Sequence, residues 1–215
     1  MAPDAEGLQF SLDFFKGRTG YLVDIGAHDG VEAGSMTRAF MERGWMGLLI
    51  EPLPVAYAKL HAAYKDDLHA VTLNIACSDK DGTAMLYPCG GVSTLGKDWA
   101  DVCQNWWDHV NYADPIEVET QRLGSLLPLF APKKIDYLQI DTEGHDYKIL
   151  IGMDWSFNPD LICIETLDMC NPERKNKQGV WQPSEEINTL LNEQGYELSL
   201  ATIGGNGMYV RKDLL

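Results

Sequence analysis

Four acidic residues stand where short apolar runs end: Asp24 after Tyr-Leu-Val, Glu51 after Gly-Leu-Leu-Ile, Asp141 after Tyr-Leu-Gln-Ile and Glu165 after Leu-Ile-Cys-Ile. Runs of that kind read as buried strands, so each carboxylate falls at a strand's carboxyl end. Open α/β sheets bind their ligands there, near the point where strand order reverses. One such acid is commonplace; four predict a cleft lined with negative charge. A second concentration follows in "DTEGHD", which brings Asp141, Glu143, His145 and Asp146 close together. Carboxylates and an imidazole are groups that take a proton from an alcohol, and His145 is the natural base among them. Asp141, Glu143 and Glu165 offer instead the hard oxygens that magnesium prefers. The plainer reading of Glu143 and Asp146 is that of first-turn acids favoured by a helix dipole.

Between Asp24 and Glu51 the chain reads G-A-H-D-G, from Gly26 to Gly30. Glycines at both ends permit a sharp exit from the strand and a close approach of ligand to backbone. Glu51 follows this loop by about 20 residues, the usual place for an acid that binds ribose hydroxyls, so the cleft is expected to hold a nucleoside. A dinucleotide needs G-x-G-x-x-G, whose second glycine admits a pyrophosphate. Here His28 and Asp29 occupy that place, and Asp24 and Asp29 add negative charge. A cationic nucleoside fits better, and S-adenosylmethionine, a sulfonium, is the common candidate. A nicotinamide-dependent oxidoreductase competes with this reading and lacks its G-x-G. A non-catalytic domain that binds the cofactor or a partner is the alternative outside enzymology.

Positioning such a cleft takes an α/β domain with a parallel sheet, and strand-like and helix-like segments do alternate along the chain. Strands are expected over Gly20–Gly26, over "WMGLLIEP" to Glu51, and over "HAVTLNIACSD" as one piece, with a turn and short added strand in "DKDGTAMLY". Helices are expected over Glu32–Arg43, with Gly44 as the stop, and over Pro54–Lys65 with proline in its first turn. "IEVETQRLGSLL" reads as a strand and a helical turn, "IDYLQIDTEGHDYKILIGM" as a strand and a helix, and "PDLICIET" as a buried strand. Ser184 begins a further helix with Glu185 and Glu186 in its first turn. "YELSLATIGGNGMYVRK" closes the chain as a hairpin, which forces an antiparallel strand into the sheet. Gly90–Asp114 breaks the rhythm with Trp99, Trp106 and Trp107 on no clean period. Long inserts in compact domains are often functional loops, so about 90–115 is read as a substrate lid on a single domain. Its tryptophans, with Ser93 and Thr94, are the candidate substrate contacts, set against ordinary core packing.

The 215 residues are 45% hydrophobic and carry a net charge of −15, enough apolar content for one medium domain. A nucleic-acid partner, which draws affinity from lysine and arginine on phosphates, is disfavoured. The start of the chain is polar and acidic, unlike a signal peptide, and no apolar run reaches the roughly 18 residues of a membrane span. A cytoplasmic protein without a membrane partner is therefore expected. Five cysteines, an odd number without C-x-x-C spacing, predict neither a disulfide framework nor a zinc knuckle; Cys163 reads as a buried small hydrophobe. The polar loop "LDMCNPERKNKQGVWQP" holds the most basic stretch, a weak invitation to a carboxylated or phosphorylated substrate.

The blocks "VDIGAHDG", "IEP" at Ile50–Pro52, "NIACSDKDGTAMLY", "LGSLL", "IDYLQIDTEGHDYKILIGM" and "LICIET" occur in one order from about residue 20 to 166. In this the chain resembles the FkbM-type methyltransferases, a branch of the S-adenosylmethionine-dependent class I methyltransferases. The resemblance implies a Rossmann-like, mostly parallel seven-stranded sheet with an antiparallel terminal strand and helices on both faces. It implies methylation of an oxygen, usually a hydroxyl on a sugar or other small molecule. Carried over by position, Asp24, Gly26, Ala27, His28 and Gly30 match the cofactor loop, Glu51 the ribose ligand, Ala76, Cys77 and Ser78 the segment beside adenine, and Asp141 the acid near the methionine end. "TEG" stands where the family commonly has "VEG", and no (Asp/Asn)-Pro-Pro-(Tyr/Phe) motif follows the fourth strand, which speaks against methylation of nucleobase amines.

Overall fold

The computed structural model describes residues 5–31, 35–166 and 184–215. Along the described chain run α1 (Ala5–Phe14), β1 (Tyr21–Ile25), α2 (Met36–Met41), β2 (Met46–Ile50), α3 (Pro54–Tyr64) and β3 (Ala70–Leu73). Then come β4 (Ala76–Ser78), β5 (Gly82–Leu86), α4 (Lys97–Trp106), β6 (Ile116–Arg122), α5 (Leu123–Phe130) and β7 (Tyr137–Ile140). The chain ends through α6 (Asp146–Ile151), β8 (Leu161–Glu165), α7 (Glu185–Glu193), β9 (Tyr196–Ala201) and β10 (Asn206–Arg211).

Seven strands form one sheet in the order β3-β2-β1-β7-β8-β10-β9. β3, β2, β1, β7 and β8 are parallel, with Val23 beside Leu48 on one side and Leu138 on the other. β10 is antiparallel to both β8 and β9. The expected fold is therefore the one observed, hairpin included. Its physical basis is the period of two along each strand. Val23 and Ile25 face a core with Leu123, Leu126 and Leu127 of α5, Ile149 and Leu150 of α6, and Ile187 and Leu191 of α7. Leu22, next to Val23 along the strand, faces a second core with Phe15, Phe40 of α2 and Leu60 of α3. Helices cover both faces, so the central strands are buried on both sides and read as continuous apolar runs. Strand order reverses between β1 and β7, and the acids named above stand at that end.

Three expectations change. The segment "HAVTLNIACSD" is two strands: β3 closes the main sheet, while β4 leaves it for a small sheet ordered β4-β6-β5. The break falls at Asn74, whose amide donates to the carbonyls of Glu51 (2.8 Å) and Pro52 (3.1 Å) and so diverts the chain. The insert contains α4, because Trp99 and Cys103, one helical turn apart, are buried together with Val110. The polar start of the chain contains α1, which leads into the buried Phe15. The helix expected from Glu32 is described from Ser35, whose side chain caps α2 by accepting from the Arg38 N–H; residues 32–34 lie outside the described ones. So does the polar loop at 167–183 with its basic stretch. Cys163 is buried in β8. Among the described residues no helix is long and apolar enough to cross a membrane.

Candidate active site

A cleft opens over the carboxyl ends of β1, β2 and β7. Gly26, His28 and Glu51 line one wall, Ala76 and Cys77 the next, Ser93 with Gly90 and Gly91 a third, and Asp141, Thr142, Glu143 and His145 the inner end. An apolar lining with a few convergent polar groups suits a small-molecule ligand.

At the β1–β2 corner Glu51 is nearly buried, and the chain has donors for both its oxygens. The N–H of His28 donates to Oε2 (2.9 Å) and that of Leu53 to Oε1 (2.7 Å). His28 reaches this position through a left-handed backbone, φ 50°, an uncommon conformation for a residue with a side chain. Burial pushes the Glu51 carboxyl up to about 7, and the two N–H donors oppose the rise. Gly26 has φ +87°, and a Cβ there would lie 1.9 Å from the Asp141 carbonyl oxygen. Glycine is thus required to bring the β1 and β7 loops together. Gly30 is required for a different reason: a Cβ would meet Leu60 and Tyr64 of α3 at 2.5 and 2.9 Å. It serves packing, not the approach of a ligand.

At the β7–β8 corner the chain turns sharply after Asp141. Glu143 and Gly144 are both left-handed, with φ 55° and 88°. Asp146 ties the turn, accepting from the N–H groups of Thr142 and Gly144 (3.2 Å each). Thr94 Oγ donates to the Glu143 carbonyl (2.7 Å) and fastens the insert to the same turn. Asp141, Glu143 and Glu165 each bring an oxygen within 4.8 Å of the others. Glu143 and Glu165 are 5% and 6% exposed, and Oε2 of each is buried without a hydrogen-bond donor. Trp99 Nε1 approaches Glu143 closely enough to favour its charged form, yet the indole nitrogen stops short of hydrogen-bond geometry. Burial, reinforced by neighbouring carboxylates, drives Glu143 up to about 8, Asp146 to about 7 and Glu165 well above the usual carboxylate range.

His145 lines the cleft but is already engaged. Its Nε2 lies 2.9 Å from Ser78 Oγ, and Ser78 spends its own proton on Asp79 Oδ1 (3.0 Å). Nε2 therefore donates and Nδ1 is the ring's acceptor. Burial first, and the charge of Lys148 second, hold the imidazole down to about 4.

Of the residues singled out from sequence, Gly26, His28, Glu51, Ala76, Cys77, Ser93, Asp141, Glu143 and His145 line the cleft together. Several others do not. Asp24 is buried beneath the loop, bonded to the Thr37 hydroxyl of α2, and burial raises it to about 7. Ala27 is buried and bonds through its N–H to Ile50. Thr94 is 1% exposed and acts as the tie just described. Trp99 is 7% exposed and packs on Gly144, where a Cβ would come within 2.5 Å of the indole; the structure places it in the packed core of the insert. Trp107 is half-buried and stacks on His109, and the side chain of Trp106 lies outside the described ones. Asn74 was missed. Its signal, a lone amide interrupting an otherwise apolar strand, is visible in the sequence.

A sequence model of the FkbM methyltransferase domain matches residues 24–198. The methyltransferase sdnD of Sordaria araneosa is 27% identical over an aligned length of 215, spanning 83% of this chain and 74% of that protein. Among solved structures, the FkbM methyltransferase of Methylobacillus flagellatus KT is similar with a TM-score of 0.51 at 12% identity, over 89% of this chain and 43% of that one. The present chain thus spans less than half of that structure's length. A candidate caffeoyl-CoA O-methyltransferase of Staphylococcus aureus is similar with a TM-score of 0.51 at 10% identity, over 98% and 85%. At these identities the structural likeness speaks for the fold.

Proposed function

The chain belongs to the FkbM methyltransferase family, and from that premise we propose that it transfers the methyl group of S-adenosylmethionine to a hydroxyl oxygen of a small molecule or sugar. One observation carries the reading: a single cleft has a donor-anchored carboxylate, Glu51, at one end and an acid pair, Asp141 and Glu143, at the other. Glu51 would accept from the ribose hydroxyls while its remaining lone pairs stay on the two backbone N–H groups. The adenine would lie along Ala76 and Cys77. The methionine half would pass Gly26 and bring its methyl group to Asp141.

In the transfer the acceptor oxygen attacks the methyl carbon, the carbon–sulfur bond breaks with its electron pair going to sulfur, and the sulfonium becomes a neutral thioether. The hydroxyl proton leaves to the carboxylates at the inner end of the cleft. His145 suits that task less well, because its Nε2 is committed to Ser78 and a pKa near 4 makes it a weak base at neutral pH. Much of the rate would come from alignment of oxygen, carbon and sulfur. Acid-lined walls favour a neutral acceptor over an anionic one. Magnesium is the ion that oxygens of this kind select.

The test is calorimetric titration with S-adenosylmethionine and, separately, with NAD, followed by methyl-label transfer to hydroxylated acceptors, sugars first. Saturable binding of S-adenosylmethionine alone is expected. Binding of NAD alone would replace this reading by an oxidoreductase, and tight S-adenosylmethionine binding without turnover on any hydroxyl acceptor would leave a binding domain.

A further inference from the structure

We propose that Asp141, Glu143 and Glu165 bind one divalent cation of the hard, oxygen-preferring class at the inner end of the cleft. The site deepens the transfer reading above and rests on it only for the use of the ion, not for its binding. Two oxygens that ligate one Mg²⁺ or Ca²⁺ from opposite sides stand roughly 4–5 Å apart, and the three carboxylates each offer an oxygen within 4.8 Å of the others. They come from fixed places. Asp141 follows β7, Glu165 ends the adjacent β8, and Glu143 is turned back by two successive left-handed residues, with the Gly144 N–H held by Asp146 and the Glu143 carbonyl by Thr94.

Proximity of acids alone would say little. The informative atoms are Glu143 Oε2 and Glu165 Oε2, both buried and both without a donor. Among the described residues, no lysine, arginine or histidine is ion-paired with either carboxylate. Ionised, buried carboxylates of this kind need a counter-charge; without one, burial holds them protonated, and here two stand beside a third acid. A dication between them supplies the missing counter-charge and the missing partner for each oxygen at once. Since Asp141 and Glu143 also line the cleft, the remaining coordination positions face the acceptor. A bound cation of this class lowers the pKa of a hydroxyl it touches.

The decisive experiment uses the full chain, stripped with chelator, and Mn²⁺ as probe, read by calorimetry and by electron paramagnetic resonance, with Mg²⁺ and Ca²⁺ as competitors. One Mn²⁺ per chain is expected, displaced by Mg²⁺ and accompanied by a rise in melting temperature. E143Q and E165Q should each weaken Mn²⁺ by at least about tenfold, the loss that even an outer-shell change can produce. Because each variant replaces a buried acid by a neutral side chain of nearly the same shape, its ion-free melting temperature should stay close to wild type, which separates loss of a ligand from loss of the fold. Absence of saturable Mn²⁺ binding to folded wild type, with or without S-adenosylmethionine, would overturn the site. So would Mn²⁺ affinity unchanged in both variants. S-adenosylmethionine titrated in the same samples keeps the two readings apart: cofactor binding without ion binding removes the cation and leaves the methyltransferase, and ion binding without cofactor binding does the reverse.

Discussion

Asp24 and Glu51 at the β1–β2 corner and Glu143 and Glu165 at the β7–β8 corner are buried to a similar degree but provided for very differently. Glu51 has a backbone N–H on each oxygen, and Asp24 has the Thr37 hydroxyl. Glu143 and Glu165 each keep an oxygen to which the described residues offer no donor. Burial raises the pKa of all four, so desolvation is not the distinction. The distinction is completeness. The first corner is finished by the polypeptide and offers a ligand only its outer lone pairs. The second is left with open valence, as a place must be where a proton or a cation is exchanged.

Gly26 joins the two corners, and its substitution should have the largest effect. G26A combines a left-handed backbone with a Cβ 1.9 Å from the Asp141 carbonyl oxygen, and a loss above about 4 kcal/mol in urea unfolding is expected, in the exceptional range for point mutants. Wild-type stability in G26A would mean the corners move independently. W99A is next. It empties the space over Gly144 and should cost about 3–5 kcal/mol, with S-adenosylmethionine affinity of the folded fraction little changed, because the loss falls on the second corner. E51A acts on the first corner alone. Calorimetry should show roughly 10–100-fold weaker S-adenosylmethionine binding, about 1.5–3 kcal/mol for hydrogen bonds to a charged group, and E143Q should leave that affinity near wild type.

The last expectation is one of pH. Asp24 and Glu51 rise to about 7 and Glu143 to about 8 in the fold, from ordinary values of 3.8 and 4.5, and Glu165 also rises well above its ordinary value. Above the ordinary carboxylate range the folded chain therefore holds more protons than the unfolded one, so stability falls as pH rises until these groups have lost them. This is opposite to the behaviour of carboxylates paired with cations. Melting temperature in chelator should therefore decline from mildly acidic to mildly alkaline buffer. A flat or rising profile would show that both corners are already neutralised.

Strand ends were legible in the sequence because each apolar run stops at an acid, and the cleft follows from strand order alone. The roles of particular residues were less legible, for reasons the contacts make plain. Gly26 and Gly30 look alike in G-A-H-D-G, yet one is fixed by the Asp141 carbonyl and the other by Leu60 and Tyr64, partners distant in the chain. Asp24 has the spacing of a ligand residue and the surroundings of a core one. Trp99 could not be separated from Trp106 and Trp107 by pattern, because its burial depends on Gly144. α4 went unseen since the adjacent tryptophans blur its period, and the break at Asn74 shows only as a lone amide in the strand, whose partners at Glu51 and Pro52 are distant in the chain.

The strand order has a consequence for synthesis. β1 can pair with β2, and β2 with β3, as soon as residues up to Leu73 are available, but the other edge of β1 waits for β7 at Tyr137–Ile140, after the whole β4–β6 sheet and the insert have been made. At ribosomal rates that delay is roughly 3–13 s. Throughout it an apolar strand edge, Tyr21 to Ile25, has no partner from its own chain, and such edges invite pairing with other chains. The vulnerable moment of this protein is therefore the interval before the strand bearing Asp141 arrives, and variants that slow β7 docking should be recovered as aggregates before they register as inactive enzyme.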